Sequence, residues 1–504
     1  PTLSLDDQTV TIRGTDGDDT VTLSFDGVVQ AVVNGVPLYF APGTTAVIFD
    51  GGAGNDEVTL QGTSGDEYAN LGLLSGGNPG GIVTGTGFRL IAEHCENVTF
   101  IGGGGNDWAE IVDTPAQDLF IAQPGESVME GNGLRFAAIG VPVVHGYSRW
   151  GGNDVARLYD SVGQDMLIAE PRWSKITSAD GSYFVRAKGF KTVDVRAENG
   201  DVDTVEFRDS PGRDTLAVSP TQANLVGPNY SISTKGFENV VAKGSGKGQD
   251  EAFLYGSSGA DQLQATLGYA LLKTNGFQAE VNGFNQMTVA SMGGTDQALI
   301  QGTPGDDTLV SQFRDVTLSR ANSSLRVRGY KTVTVDGSSG GTDVAHLYDS
   351  SGDDLFIADP LEAILICPSF TIKVQAFDYV HAYSVTGGRD VAQLKGSDGD
   401  DSLVGWPEWT KLSGSNYFLR AKFFEEVQVD SGAGFDSAIL YDSPGADNLV
   451  ATGTTLTLSG NFGSISYLNQ LQNFEKVQVK SRGGANTKSV DPAALTYLLL
   501  TGNW

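Results

Sequence analysis

Carboxylates carry the most accessible chemistry in this chain. Aligning GGNDVARLYDSVGQDMLIAEP (151–171) with GGTDVAHLYDSSGDDLFIADP (340–360) places two acids in fixed slots. The first recurs at Asp56, Asp107, Asp154, Asp203, Asp250, Asp296, Asp343, Asp390 and Asp436, at spacings of 46 to 51 residues. The second follows eleven residues later, at Glu67, Asp118, Asp165, Asp214, Asp261, Asp307, Asp354, Asp401 and Asp447, and a partial leading copy ends on Asp19. If copies stack at strand spacing (~4.8 Å), neighbouring like charges repel by about 0.9 kcal/mol in water and roughly 3–4 kcal/mol at an effective dielectric of 20. Two arrangements answer that repulsion. The carboxylates can accept turn backbone N–H groups, or a hard cation can bridge them with carbonyls completing the oxygen shell.

Other reactive groups are sparse. His94, His145, His346 and His381 are the four histidines. His145 and His381 share one slot, nine residues before the first acid, which another copy fills with Asp194, so they read as surface decoration. Cys95 and Cys367 form neither a disulfide framework nor a metal cluster. GGGGND (102–107) lacks the Lys-Ser/Thr ending of a phosphate-binding loop. A basic region of Arg172, Lys175, Arg186, Lys188 and Lys191, with Trp173 and the GWPEW segment at 405–409, is the best place to look for polysaccharide chemistry. As solvated wall charges these residues need no ligand.

The elements that position the acids are short strands. Each unit of about 47 residues holds roughly four strand-like pieces, punctuated by Gly, Asp, Ser and Pro, without helical periodicity. Gly163, Gly212, Gly259, Gly305, Gly352, Gly399 and Gly445, two residues before the second acid, are expected to turn the chain with positive φ. Aromatic pairs seven apart, such as Tyr183/Phe190 and Tyr417/Phe424, are expected to form internal ladders, with Phe88 and Cys95 in the same two slots. The expected fold is all-β, a right-handed parallel β-solenoid of about ten repeats, with a propeller-like array as the alternative. Residues 1–490 form the repeat domain (1–50 a partial first repeat), opening on a strand at 1–13. Residues 491–504 (DPAALTYLLLTGNW) form a capping or docking helix, N-capped by Asp491 with Pro492 at its first position and a stripe of Leu495, Leu498 and Leu499.

GTDGDDTVTL (14–23), GAGNDEVTL (52–60), GTPGDDTLV (302–310) and GSDGDDSLV (396–404) resemble the haemolysin-type, repeats-in-toxin calcium-binding motif. The spacing departs from that family's tandem nonapeptides, because about 35 residues without the motif separate the paired turns. The whole unit is more similar to the VA-x-LYDS-x-GDD-x-F repeats of very large secreted bacterial surface proteins. The resemblance implies an extracellular protein and candidate calcium turns at Asp18, Asp19, Asp306, Asp307, Asp353, Asp354, Asp400 and Asp401.

Composition agrees with such a chain. Sixty-one acids against 32 Lys and Arg give a net charge of −29 over 504 residues, with 67 glycines and 39% apolar residues. That charge opposes binding to nucleic acid or anionic membrane, and no apolar run is long enough to span a bilayer. Low cysteine use and a first residue other than Met are compatible with export. The expectation is a secreted, non-catalytic structural or adhesive cell-surface protein, stabilised by Ca2+, that self-associates end to end and meets surface polysaccharide. A polysaccharide lyase or hydrolase is the rival.

Overall fold

Alternation of apolar and polar residues over five positions sets the basic element. In Val155–Tyr159 the side chains of Ala156 and Leu158 are buried while Val155, Arg157 and Tyr159 face outward. This period-two pattern recurs from Thr9–Arg13 through Lys476–Lys480. The computed structural model describes residues 2–6, 8–463 and 465–504. It divides into two units, one comprising the chain to Glu251 together with Phe277–Ala279, the other Ala252–Gly276 and Glu280–Trp504.

Each unit is a β-solenoid built from two facing walls. In the first unit Val155–Tyr159 lies parallel between Leu119–Gln123 and Thr192–Arg196 on one wall. On the facing wall Thr204–Arg208 pairs parallel with Asp165–Glu170 and Asn239–Lys243. The second unit repeats the plan, with Val344–Tyr348 between Thr308–Gln312 and Tyr379–Tyr383. Inward-facing residues from both walls form the core, including Phe120, Phe207, Phe356 and Phe370. The aromatic slots are buried throughout, Tyr183, Phe190, Tyr417 and Phe424 among them, and Cys95 is fully enclosed in its aromatic slot.

Each repeat holds five strands, where the sequence pattern predicts about four. The fifth arises because the chain folds back on one wall before crossing to the other. Asp165–Glu170, Trp173–Ser178 and Phe184–Lys188 form an antiparallel meander whose outer strands join the parallel stack. In the next repeat the meander Thr215–Ser219, Gln222–Gly227 and Tyr230–Lys235 lies on the opposite wall. The chain crosses between walls three times per repeat, so equivalent residues of successive repeats alternate walls.

Both ends differ from expectation. The N-terminal segment is a hairpin, with Thr2–Asp6 antiparallel to Thr9–Arg13; Pro1 and Asp7 of the expected single strand lie outside the described residues. At the other end the expected helix is one 3-10 turn, Pro492–Thr496, N-capped by Asp491, whose carboxylate accepts the Ala493 N–H at 2.8 Å. The leucine stripe then continues as a strand: Leu498–Thr501 pairs parallel with Lys476–Lys480. An open wall edge offers this segment a full row of backbone partners, which outweighs the weak helical preference of so short a stretch.

Candidate functional site

The second acid of every copy sits at the end of a tight turn that begins with Ser or Thr four residues earlier. In one copy Ser350 donates its backbone N–H and its hydroxyl to the Asp354 carboxylate at 2.8 and 2.9 Å. The Ser350 hydroxyl also accepts the N–H of Gly352 at 3.3 Å. Thr15 with Asp19, Thr303 with Asp307 and Ser397 with Asp401 repeat the arrangement. These second acids are all buried.

The first acid acts one coil away. Its carboxylate accepts the backbone N–H of the preceding second acid: Asp19 donates to Asp56 at 2.9 Å, Asp307 to Asp343 at 2.8 Å, Asp354 to Asp390 at 2.7 Å and Asp401 to Asp436 at 2.7 Å. The same bond recurs in the other copies, with Asn486 in place of the acid for Asp447. The N–H of the first acid is capped in turn by the acid that follows the ladder aromatic, as Asp203 by Glu238 and Asp390 by Glu425. Charge-assisted bonds of this kind contribute about 1.5–3 kcal/mol each. They replace the water these carboxylates lose on burial.

The remaining calcium candidates are exposed. Asp18, Asp306, Asp353 and Asp400 each accept a backbone N–H from the neighbouring coil, of Asn55, Thr342, Arg389 and Phe435 respectively, at 2.7–2.9 Å. The two acids of each Asp-Asp pair therefore serve different amides. Among the described residues only Asp354 of the eight candidates joins a cluster of three acids.

Those clusters depend on a third acid slot, immediately before the turn Ser or Thr, which sequence reasoning missed. It is filled by Asp113, Asp160, Asp209, Asp349 and Asp442, and by Gly14, Gly62, Gly256, Gly302 and Gly396 in the other copies. The alternation of Asp and Gly in LYDS and G-T/S contexts is the signal that identifies it. Three carboxylates come within 4.8 Å of one another at Asp113/Asp118/Asp154, Asp209/Asp214/Asp250 and Asp349/Asp354/Asp390. In the first and third clusters a serine answers the first acid: Ser148 donates to Asp154 at 2.7 Å and Ser384 to Asp390 at 2.6 Å. Gly244 occupies that slot in the second cluster. There the Oδ2 atoms of both Asp209 and Asp250 are buried without a hydrogen-bond partner.

Burial dominates the proton chemistry. It pushes Asp209 up to about 7, with Asp250 and Asp214 adding repulsion against the pull of the Ser245 N–H. Asp203 is likewise raised to about 7, and Asp107, Asp343 and Asp390 to about 6, each chiefly by desolvation. Burial also pushes both thiols, Cys95 and Cys367, up and keeps them protonated. A low-dielectric carboxylate cluster holds either a shared proton or a cation.

The turn glycines do not behave as expected. None of Gly163, Gly212, Gly259, Gly305, Gly352, Gly399 and Gly445 has positive φ. Left-handed glycines instead stand two before the first acid in most copies, such as Gly248 (φ 90°), Gly388 (φ 128°) and Gly434 (φ 129°). A Cβ on Gly388 would collide with the carbonyl of Gly352 in the adjoining coil. Turns of neighbouring coils touch backbone to backbone, and two glycine slots meet there.

No protein-family model matches the chain, and no curated protein matches its sequence. The fold and the turns define a class, a two-walled β-solenoid whose buried carboxylates are bonded coil to coil.

Proposed function

We propose that this chain is a secreted, non-catalytic structural or adhesive repeat protein of the cell surface. The observation that carries the reading is the use made of its acids. In copy after copy both carboxylates are committed to backbone amides of their own turn or of the next coil. Such groups brace the scaffold, and similar turns in every coil single out none of them for catalysis.

A divalent cation of calcium type belongs to this reading, held by the Asp209/Asp214/Asp250 cluster. Two orphaned oxygens there suit a hard ion that takes six to eight oxygen ligands, with water completing the shell. End-to-end self-association is the second component. Thr2–Asp6 in the first unit and Leu498–Thr501 in the second each pair on one side, and offer backbone edges for that contact.

The test is to display the protein in its native host and locate it by immunogold labelling, with purified full chain assayed on acidic and neutral glycans. Surface label without glycan turnover is expected, and turnover abolished by one wall substitution overturns the reading. Calcium is expected to raise the melting temperature at pH 7.5, and Asp209→Ser to remove that rise.

A further inference from the structure

Two histidines that look like isolated surface residues in sequence belong to one constellation built twice. VVHGY (143–147), WSKIT (173–177) and FVRAK (184–188) reappear five repeats later as YVHAY (379–383), WTKLS (409–413) and FLRAK (418–422). In each unit the three strands lie side by side. His145 is opposite Arg186, which is opposite Lys175 on its other side; His381, Arg420 and Lys411 repeat that row. One row along, Tyr147, Lys188 and Trp173 correspond to Tyr383, Lys422 and Trp409. In no other copy does the corresponding strand read F-x-R-A-K or the preceding slot hold His.

The details of packing agree as well. Arg186 donates to the Tyr147 hydroxyl at 3.1 Å and Arg420 to that of Tyr383 at 2.9 Å. His145 lies 5.4 Å from the Phe184 ring and His381 5.3 Å from Phe418. Lys175 and Lys411 stand 5.6 and 5.7 Å over those same phenylalanines. Outward positions of a solenoid wall vary freely between repeats, because they do not affect stacking. Two strand triplets that agree throughout the His-Arg-Lys and Tyr-Lys-Trp rows, though Val143 stands where the other has Tyr379, point to a shared task.

The chemistry of the task follows from charge. The chain carries −29, yet Lys175, Arg186 and Lys188 form no ion pair among the described residues, and neither do Lys411, Arg420 and Lys422. Both guanidiniums find only neutral acceptors, and the Nε of each is buried without a partner. Strand geometry puts the three cations of each set within about 5–7 Å along and across the strands. Burial and the adjacent cations push both His145 and His381 down to about 4, so the rings stay neutral and add no positive charge. Arginine with two lysines and no internal counter-ion is a receptor for carboxylate or a similar oxyanion. The half-buried indoles of Trp173 and Trp409 flank the cations with apolar surface of the kind sugar rings pack on, and the acidic surroundings disfavour a densely charged polymer such as nucleic acid.

We infer that each unit binds a carboxylated polysaccharide across this three-strand strip, through Arg186, Lys175 and Lys188 in the first unit and Arg420, Lys411 and Lys422 in the second. The inference deepens the adhesive reading above and rests on it.

Calorimetric titration of the full chain at low salt, using a polygalacturonate oligomer, a sulfated dextran, a DNA oligomer and a neutral glucan, tests this. Two sites per chain are expected for the carboxylated oligomer and none for the glucan. Arg186→Gln and Arg420→Gln should each remove one site, and the double variant should weaken binding at least tenfold. If the double variant melts early, Lys188→Gln with Lys422→Gln, both altering only wall lysines, replaces it. Absence of binding by the unaltered chain, equal affinity in both double variants, or preference for sulfated dextran or a DNA oligomer overturns the inference. Cleavage of the oligomer overturns the non-catalytic reading and leaves the binding site standing.

Discussion

The backbone N–H of Asp354 donates to the Asp390 carboxylate at 2.7 Å, across 36 residues of chain and a single step of the stack. Asp390 also accepts the Ser384 hydroxyl at 2.6 Å and lies in the cluster with Asp349. One side chain thus couples two coils while sharing a desolvated space with other acids. The bond favours the charged form and the neighbours oppose it. Burial prevails, which is why Asp390 is raised to about 6.

Substitutions at Asp390 separate those effects. Asp390→Ala leaves the Asp354 N–H and the Ser384 hydroxyl without an acceptor, costing about 1–3 kcal/mol for each buried orphan. Asp390→Asn retains an acceptor and removes a buried charge, as the chain itself does at Asn486 beside Asp447. Thermal melts at pH 7.5 should fall clearly for the alanine variant and hold or rise for the asparagine variant.

Stability should decrease as pH rises through neutrality. Asp203 and Asp209 have folded values near 7, far above the unfolded carboxylate range, so the folded chain retains protons that the unfolded chain has lost. Their contribution is fully present below about pH 4 and is lost as pH climbs through 7. His145 and His381 act in the opposite sense, since depressed values near 4 give stability that is lost as pH falls from 6.5 toward 4. Denaturant midpoints in chelator should therefore drop between pH 6.5 and 8, with Asp209→Asn flattening that drop.

Glycine substitutions should divide by slot. Gly388→Ala places a Cβ at φ 128° and against the Gly352 carbonyl, so a loss of more than about 1 kcal/mol is expected. Gly163 has ordinary φ and open space around its Cβ position, and Gly163→Ala should be neutral or gain about 0.4–1 kcal/mol through the unfolded chain. Equal effects in urea titrations would contradict the close approach of adjoining turns.

Removing residues 491–504 should lower the melting temperature and abolish end-to-end association. The Val477 N–H bonds the Tyr497 carbonyl at 2.8 Å, and the strand after it carries the wall edge outward. Without it the edge is KVQVK (476–480), whose terminal lysines discourage pairing with another chain. Size-exclusion chromatography with light scattering checks the result, and unchanged assembly would contradict a role for that strand.

Much of the architecture was legible from repetition. Residue type at a fixed slot reports burial whenever copies stack, so the buried acids, the buried aromatic slots and the solenoid class followed from alignment of the chain with itself. The meander was not legible, because a strand that folds back on its own wall shows the same alternation as one that crosses. The turn glycines were assigned the wrong task for a related reason. Gly352 and Gly388 need to be small on account of each other, and they are neighbours only between coils.

The sequence by itself determined which residues are repeated, and hence that the same two acids recur at the turns of every copy. Tertiary structure alone decided which copies stand apart from the rest. With Gly244 in the serine slot, the Asp250 Oδ2 is left without a partner beside Asp209, and the two acids meet only through the stacking of adjoining coils. Likewise His145 and Arg186, separated by 41 residues, form one strip because parallel pairing aligns their strands. Repetition encodes what every coil shares, while contacts between coils bring the exceptions together.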